Sequence, residues 1–191
     1  MSDAIDLFTA EYLQETQKSI EKTKVCVFLC GPGLTSRGPG GSPMRGAGLR
    51  AFVRRKLNKE MPGCTVRLGE HRALIRAFRR VVRRSANLAD HELGLAKLKS
   101  TDLVVIFPSS PGSFAELGMF SMAEKIARKM VVLVDRSHRK NRGFLIEGPV
   151  KAARLRNATI EYVDYRRRQK IWELVREEVL AVKERKRTRR I

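Results

Sequence analysis

The chain has 191 residues, of which 42% are hydrophobic and 31% charged. That balance excludes a disordered chain and gives one domain with a substantial core. Lys and Arg total 40 against 20 Asp and Glu, a formal charge of +20, which favours polyanionic partners but by itself marks no site.

In chain order, residues 3–22 place Ile5, Leu7, Phe8, Tyr12, Leu13 and Ile20 among polar residues, the pattern of an amphipathic helix. Residues 24–30 form an apolar run typical of a strand buried on both faces. The stretch 31–48 is half Gly and Pro, a loop able to bring backbone close to a ligand, and it carries neither a Walker A run nor a dinucleotide fingerprint. A basic helix is expected over 49–57, a short strand over 64–69 and a second basic helix over 74–84. A further helix follows over 88–99.

Residues 102–107 read as the central strand, 114–127 as the helix after a Pro/Ser/Gly turn, and 129–135 as another buried strand. A polar loop over 137–142, a short helix within 144–155, a last strand over 159–164 and a closing helix over 168–186 complete the order. The basic end, 183–191, reads as a frayed tail. Alternating strands and helices with right-handed crossovers give an α/β fold, a Rossmann-like three-layer αβα sandwich on a parallel sheet of about five strands. The expected organisation is a single domain, 1–191: an N-terminal helix (1–23), a core (24–165) and a C-terminal helix with its tail (166–191).

Cys26, Cys30 and Cys64 lack a second Cys or His pair at zinc spacing, so buried reduced thiols are expected and no metal. No apolar run is long enough to span a bilayer, and the acidic start lacks a signal-peptide pattern, so a cytoplasmic protein without a membrane partner is expected.

Ligands of open α/β sheets sit at the carboxyl ends of the strands. Three such ends carry Cys30-Gly-Pro-Gly33, Pro108-Ser-Ser-Pro-Gly-Ser113 and Asp135-Arg-Ser-His138. The second leads into Glu116, beside a turn whose Gly112–Ala115 N–H groups suit a phosphate, carboxylate or sugar hydroxyl. Two readings of Glu116 stand side by side. It is a catalytic carboxylate, or it is the N3 partner of Ser113 in a capping box. Glu92, on the preceding helix, is either a second carboxylate or part of a solvated face. The basic helices, through Arg50, Arg54, Arg55, Arg76, Arg79, Arg80, Arg83 and Arg84, together with the tail, are the candidate nucleic-acid contacts.

Val27-Phe-Leu-Cys-Gly-Pro32, Asp102-Leu-Val-Val-Ile, Gly112-Ser-Phe-Ala-Glu-Leu-Gly118 and Gly143-Phe-Leu-Ile-Glu-Gly-Pro149 resemble the nucleoside 2-deoxyribosyltransferase superfamily. They are most similar to the deoxyribosyltransferase-like effectors of retrons and other anti-phage systems. The resemblance covers about residues 24–165. It implies cleavage or transfer at the N-glycosidic bond of a nucleoside or nucleotide, NAD among the options, with no cofactor. Glu116 would be the nucleophile that forms a glycosyl-enzyme intermediate. Gly31, Pro32 and Gly33 would border the substrate; Ser110, Gly112 and Ser113 would hold sugar hydroxyls or a phosphate. Many transferases of the family carry an acid in the turn where this chain has Ser109 and Ser110; a serine there is compatible with relatives that accept nucleotides, where a carboxylate would repel the phosphate. Relatives often complete the pocket with a neighbouring chain, so a homo-oligomer is implied. The expected role is a toxic effector of bacterial defence. The alternative is a non-catalytic nucleotide-sensing module that also binds nucleic acid through its basic surface.

Overall fold

The computed structural model describes residues 2–34, 45–82, 87–140 and 142–188. In chain order the elements are α1 (Ser2–Lys22), β1 (Val25–Cys30), α2 (Arg45–Glu60), β2 (Cys64–Arg67), α3 (Arg72–Val82), α4 (Leu88–Lys97) and β3 (Leu103–Ile106). There follow α5 (Pro111–Ser121), α6 (Glu124–Ala127), β4 (Met130–Asp135), a 3₁₀ turn (Arg136–His138), a π-helical turn (Ile146–Val150), α7 (Lys151–Leu155), β5 (Thr159–Val163) and α8 (Arg168–Thr188). The five strands form one parallel sheet in the order β2-β1-β3-β4-β5.

The strand residues divide by parity, as the two-residue repeat of a strand demands. Val25, Val27, Leu29, Leu103, Val105, Val131 and Leu133 face one layer, where Leu49, Val53 and Leu57 of α2 and Trp172, Val175 and Val179 of α8 cover them. Phe28, Cys30, Val104, Ile106, Val132 and Val134 face the other, covered by α4, α5, α6 and α7. Both faces are dry, which is why β1, β3 and β4 read as continuous apolar runs. The expected Rossmann-like three-layer sandwich is the observed one.

Local departures have local causes. The helix expected over 114–127 starts earlier, at Pro111, because Ser110 caps it and proline is tolerated in a first turn. It also divides: Ala123 is extended between α5 and α6, and the Ile126 N–H reaches back to the Ala123 carbonyl. The apolar stripe of α3 is only loosely seated. No residue of α3 is fully buried, and Val81 is 82% exposed.

The order β2-β1-β3 reverses chain direction across the sheet at β1 and β3. β1 connects outward to β2, whereas β3 connects the other way to β4. The crevice at the carboxyl ends of β1 and β3 is therefore the topological switch point, where doubly wound sheets leave room for a ligand.

Candidate active site

The switch-point crevice is lined by three strand ends and three helices. After β1, Gly31 takes φ +142°, a conformation open to glycine, and a Cβ there would press on Phe107 at 3.2 Å. After β3, Phe107 and Pro108 are buried and the chain turns through Ser109 into α5. After β2, buried Gly69 is followed by exposed Glu70. From the helices, α2 contributes Gly46 and Arg50, α4 contributes Glu92, and α5 contributes Glu116.

The cap of α5 resolves the two readings of Glu116. Ser110, extended at φ −141°, is the N-cap. Its Oγ accepts the Ser113 N–H at 3.2 Å, while Ser113 Oγ accepts the Ser109 and Ser110 N–H groups at 2.9 and 2.8 Å and donates to the Ser110 carbonyl at 2.9 Å. The capping box is thus Ser110 with Ser113, one turn before the Ser113–Glu116 pairing that the spacing also allowed. Glu116 lies in the second turn and takes no part in capping.

The freed carboxyl turns inward. Glu116 hydrogen-bonds the Glu92 carboxyl, and its Oε2 is buried without a partner. Burial, then the charge of Glu92 and the hydrogen bond with it, push the Glu116 carboxyl up to about 9; Arg50 acts in the opposite sense. Two carboxylates so placed cannot both ionise cheaply, so the pair holds a shared proton near neutral pH. Glu92 reaches this position over Gly69, where any Cβ would stand 2.2 Å from Glu92 Oε1. Cys30, at the end of β1, is fully buried; burial and then the nearby Glu116 push its thiol well above the ordinary range, so it is neutral. Ser109 Oγ is a second buried polar atom without a partner on this edge. Unpaired buried oxygens are uncommon in folded chains, and two of them lie on this sheet edge.

Residues 47–190 match the family of the STM3845 retron effector protein. The chain belongs to this retron effector family. An Escherichia coli protein named as a ribosyltransferase/DNA-binding protein of retron Ec86 is 40% identical over 60 residues, 31% of this chain and 20% of that protein. A second E. coli protein, named likewise for retron Ec73, is 34% identical over 68 residues, 36% of this chain and 21% of that protein. The matches span about a fifth of the length of these relatives.

In this member of the retron effector family the expected site residues fall into three groups. Gly31 and Pro32 are buried at the crevice, Gly33 is half-buried beside them, and Glu92 and Glu116 meet there. Ser110 and Ser113 stand at the crevice with their hydroxyls bonded to each other at 3.0 Å. The row of free N–H groups expected at the start of α5 is largely used up. Pro111 has none, and those of Ser113 and Phe114 go to Ser110; at Gly112 an added Cβ would meet nothing within 4 Å.

Arg50 is the clear correction. Expected on the basic surface, it is 2% exposed, because its guanidinium is consumed by backbone carbonyls at the end of β1 and by Glu70. Arg54, Arg55, Arg76, Arg79 and Arg80 remain at least partly exposed. Arg83 and Arg84 lie outside the described residues.

Sequence reasoning placed Cys30 and Ser109 at the strand ends of this edge but missed Arg50, Glu70 and the unpartnered state of the Ser109 hydroxyl as parts of the crevice. A signal existed only for Ser109, which stands in the turn after the central strand. Among the described residues no group of three His, Cys, Asp or Glu side chains is gathered for a metal ion, and no helix is long and apolar enough to cross a membrane.

Proposed function

We propose that this chain is a glycosyl-transferring enzyme acting at the N-glycosidic bond of a nucleoside or nucleotide, with Glu116 as nucleophile and Glu92 as its proton partner. The observation that carries the reading is the buried Glu116 carboxyl, excluded from the helix cap, paired with Glu92 and holding one oxygen unpartnered at the switch point. Two carboxylates in unequal environments are the usual equipment for glycosidic chemistry through an oxocarbenium-like transition state. The names of the retron Ec86 and Ec73 relatives, both of which include the word ribosyltransferase, support the same class.

The reactive form is reached when the proton that burial keeps on Glu116 passes to Glu92, which leaves the charge on Glu116. The Glu116 carboxylate bonds to the anomeric carbon as the C–N bond breaks. The electron pair leaves with the base nitrogen, which takes the proton from Glu92. Water or a second base then attacks the anomeric carbon, its proton passes to Glu92, and Glu116 leaves as the carboxylate. In a retron effector this activity would deplete nucleotides of an infected cell.

The test is release of free base from a nucleoside, nucleotide and NAD panel, followed by chromatography. Glu116→Ala is expected to abolish release while the melting transition persists. Unchanged release by that variant would sink the mechanism.

A second reading adds nucleic-acid binding through α3. Arg76, Arg79 and Arg80 are exposed on a helix with no fully buried residue, and the relatives' names include DNA binding. Its signature is an affinity that falls steeply with salt. Retention of neither DNA nor RNA in a low-salt filter assay removes it.

A further inference from the structure

Arg50 is an unusual residue to find in a core. Nε and Nη2 donate to the Leu29 carbonyl at 3.1 and 2.7 Å, and Nη1 donates to the Gly31 and Pro32 carbonyls at 3.2 and 3.0 Å. The same fork meets Glu70 in a bidentate pair, Nη1 to Oε1 at 2.7 Å and Nη2 to Oε2 at 2.8 Å. The two ends of the pair differ sharply in environment. The Arg50 side chain is 2% exposed and that of Glu70 is 44% exposed.

The backbone explains why a guanidinium is placed here. The β1–β2 pairing ends at Phe28↔Arg67, whereas β1 runs on against β3 to Cys30↔Ile106. Beyond Phe28 the carbonyls of β1 and its turn need other donors, and a buried carbonyl left bare costs about 1–3 kcal/mol. Arg50 supplies those donors in one planar group. A lysine ammonium, with three donors on a flexible stem, lacks the fork that takes three carbonyls and a carboxylate together.

Burying a guanidinium is costly unless its geometry is fully satisfied. Apolar packing and a different turn would close an ordinary strand end at less cost. What distinguishes this location is the set of acids around it. Glu116 on α5 is faced by Glu92 of α4, by Glu70 after β2, by the Cys30 thiol of β1 and by Arg50 of α2. Arg50 is the cation acting on both Glu116 and Cys30, opposing the acids around them.

We propose that Arg50, oriented by Glu70, is a positioning residue of the carboxylate site: it holds the Gly31–Pro32 turn from behind and places a buried positive charge at the switch-point crevice. Glu70 tempers that charge from the solvent side. The role rests on the reading of Glu116 and Glu92 as the reacting pair, yet its electrostatic half is measurable without any turnover.

The test uses the full chain in three forms, wild type, Glu70→Gln and Arg50→Lys, with ¹³C-carboxyl NMR titration and, in parallel, the pH profile of base release. Glu116→Gln and Glu92→Gln identify the two resonances. Glu70→Gln removes one negative charge and leaves Arg50 uncompensated, so the upper titration of the pair moves to lower pH by roughly half a unit to one unit. Arg50→Lys keeps the charge and loses the fork, so kcat falls at least about tenfold with KM within about threefold, as expected of a misplaced turn.

A titration that does not move in Glu70→Gln overturns the proposal, and so does an Arg50→Lys variant with the wild-type kcat. If the wild type releases no base from any substrate, the glycosyl-transfer reading fails while the NMR arm still decides the electrostatic role of Arg50. If Arg50→Lys does not fold, the kcat of Glu70→Gln, which keeps the charge of Arg50 but loses the bidentate partner that orients it, decides the positioning role: a wild-type kcat overturns it.

Discussion

Gly69 is the seat of Glu92. A Cβ at residue 69 would stand 2.2 Å from Glu92 Oε1 and 2.8 Å from its Cδ, so the carboxylate occupies the space that a side chain would need. Gly69→Ala is therefore expected to push Glu92 off Glu116. Because the displaced group is the end of a flexible side chain, the fold should lose little, about 1 kcal/mol or less. Base release should fall at least about tenfold. A thermal melt beside an activity assay checks this, and a variant with full activity contradicts the pairing of the two acids.

Glu116 carries a cost that depends on pH in a definite direction. Its carboxyl is pushed from an ordinary 4.5 up to about 9 in the fold. Between those values the native state binds the extra proton, so stability is fully present below the lower value and is lost as pH rises through the upper one. Glu116→Gln mimics the protonated form and removes that dependence. At pH 8 the variant is expected to melt roughly 2–6 °C above the wild type, equivalent to about 1–2 kcal/mol in a domain of this size, and at pH 4.5 the two should coincide. Melting curves across this range decide the point. A wild type that gains stability from pH 5 to 9 relative to Glu116→Gln contradicts the buried, protonated pair.

The parts of the molecule that were legible in the sequence are those set by local pattern. The apolar runs at β1, β3 and β4 and the turn residues after them specified a parallel, doubly covered sheet and the candidate edge at its carboxyl end. Glu116 was visible as a candidate because it follows a strand end, but its freedom was not. Ser110 and Ser113 both satisfy the rule for a cap, and the choice between them depends on Ser113 Oγ reaching two N–H groups of the turn. Arg50 was misplaced for a different reason. It stands among Arg54, Arg55 and Lys56 in a basic stretch, and its burial follows from β2 stopping short of β1, a matter of sheet register that no local pattern encodes. The Glu92 contact depends on Gly69, more than twenty positions earlier in the chain.

Gly46 and Ser109 form a second close approach, between α2 and the turn after β3. A Cβ on residue 46 would lie 1.9 Å from Ser109 Oγ and 3.1 Å from both Ser109 Cβ and Pro32 Cγ. Gly46→Ala is expected to cost about 1–3 kcal/mol through overpacking. Adding Ser109→Ala removes the closest atom, so the double variant should recover about half of that loss, a coupling readable in a double-mutant cycle. Strict additivity of the two changes would mean that α2 and the turn do not meet as described.

Asp102 tests whether the opposite edge of the sheet is structural only. Its carboxylate accepts the Cys26 N–H at 2.8 Å and binds Lys186 Nζ through both oxygens at 2.9 and 2.8 Å, tying the start of β3 to β1 and to α8. Lys186 also donates to the Lys24 carbonyl at 2.8 Å, so one cation joins the last helix to the first strand's entry. Asp102→Ala leaves the buried Cys26 N–H and the partly buried ammonium without their acceptor and should cost about 2–4 kcal/mol. Asp102→Asn retains an acceptor for the N–H and should cost roughly half as much. These bonds lie at the amino end of the strands, whereas Glu116 lies beyond the carboxyl end. Turnover per folded molecule should therefore stay at the wild-type value in both variants, measured well below their melting transitions. A loss of turnover matching the loss of stability would show that the two edges of the sheet are coupled.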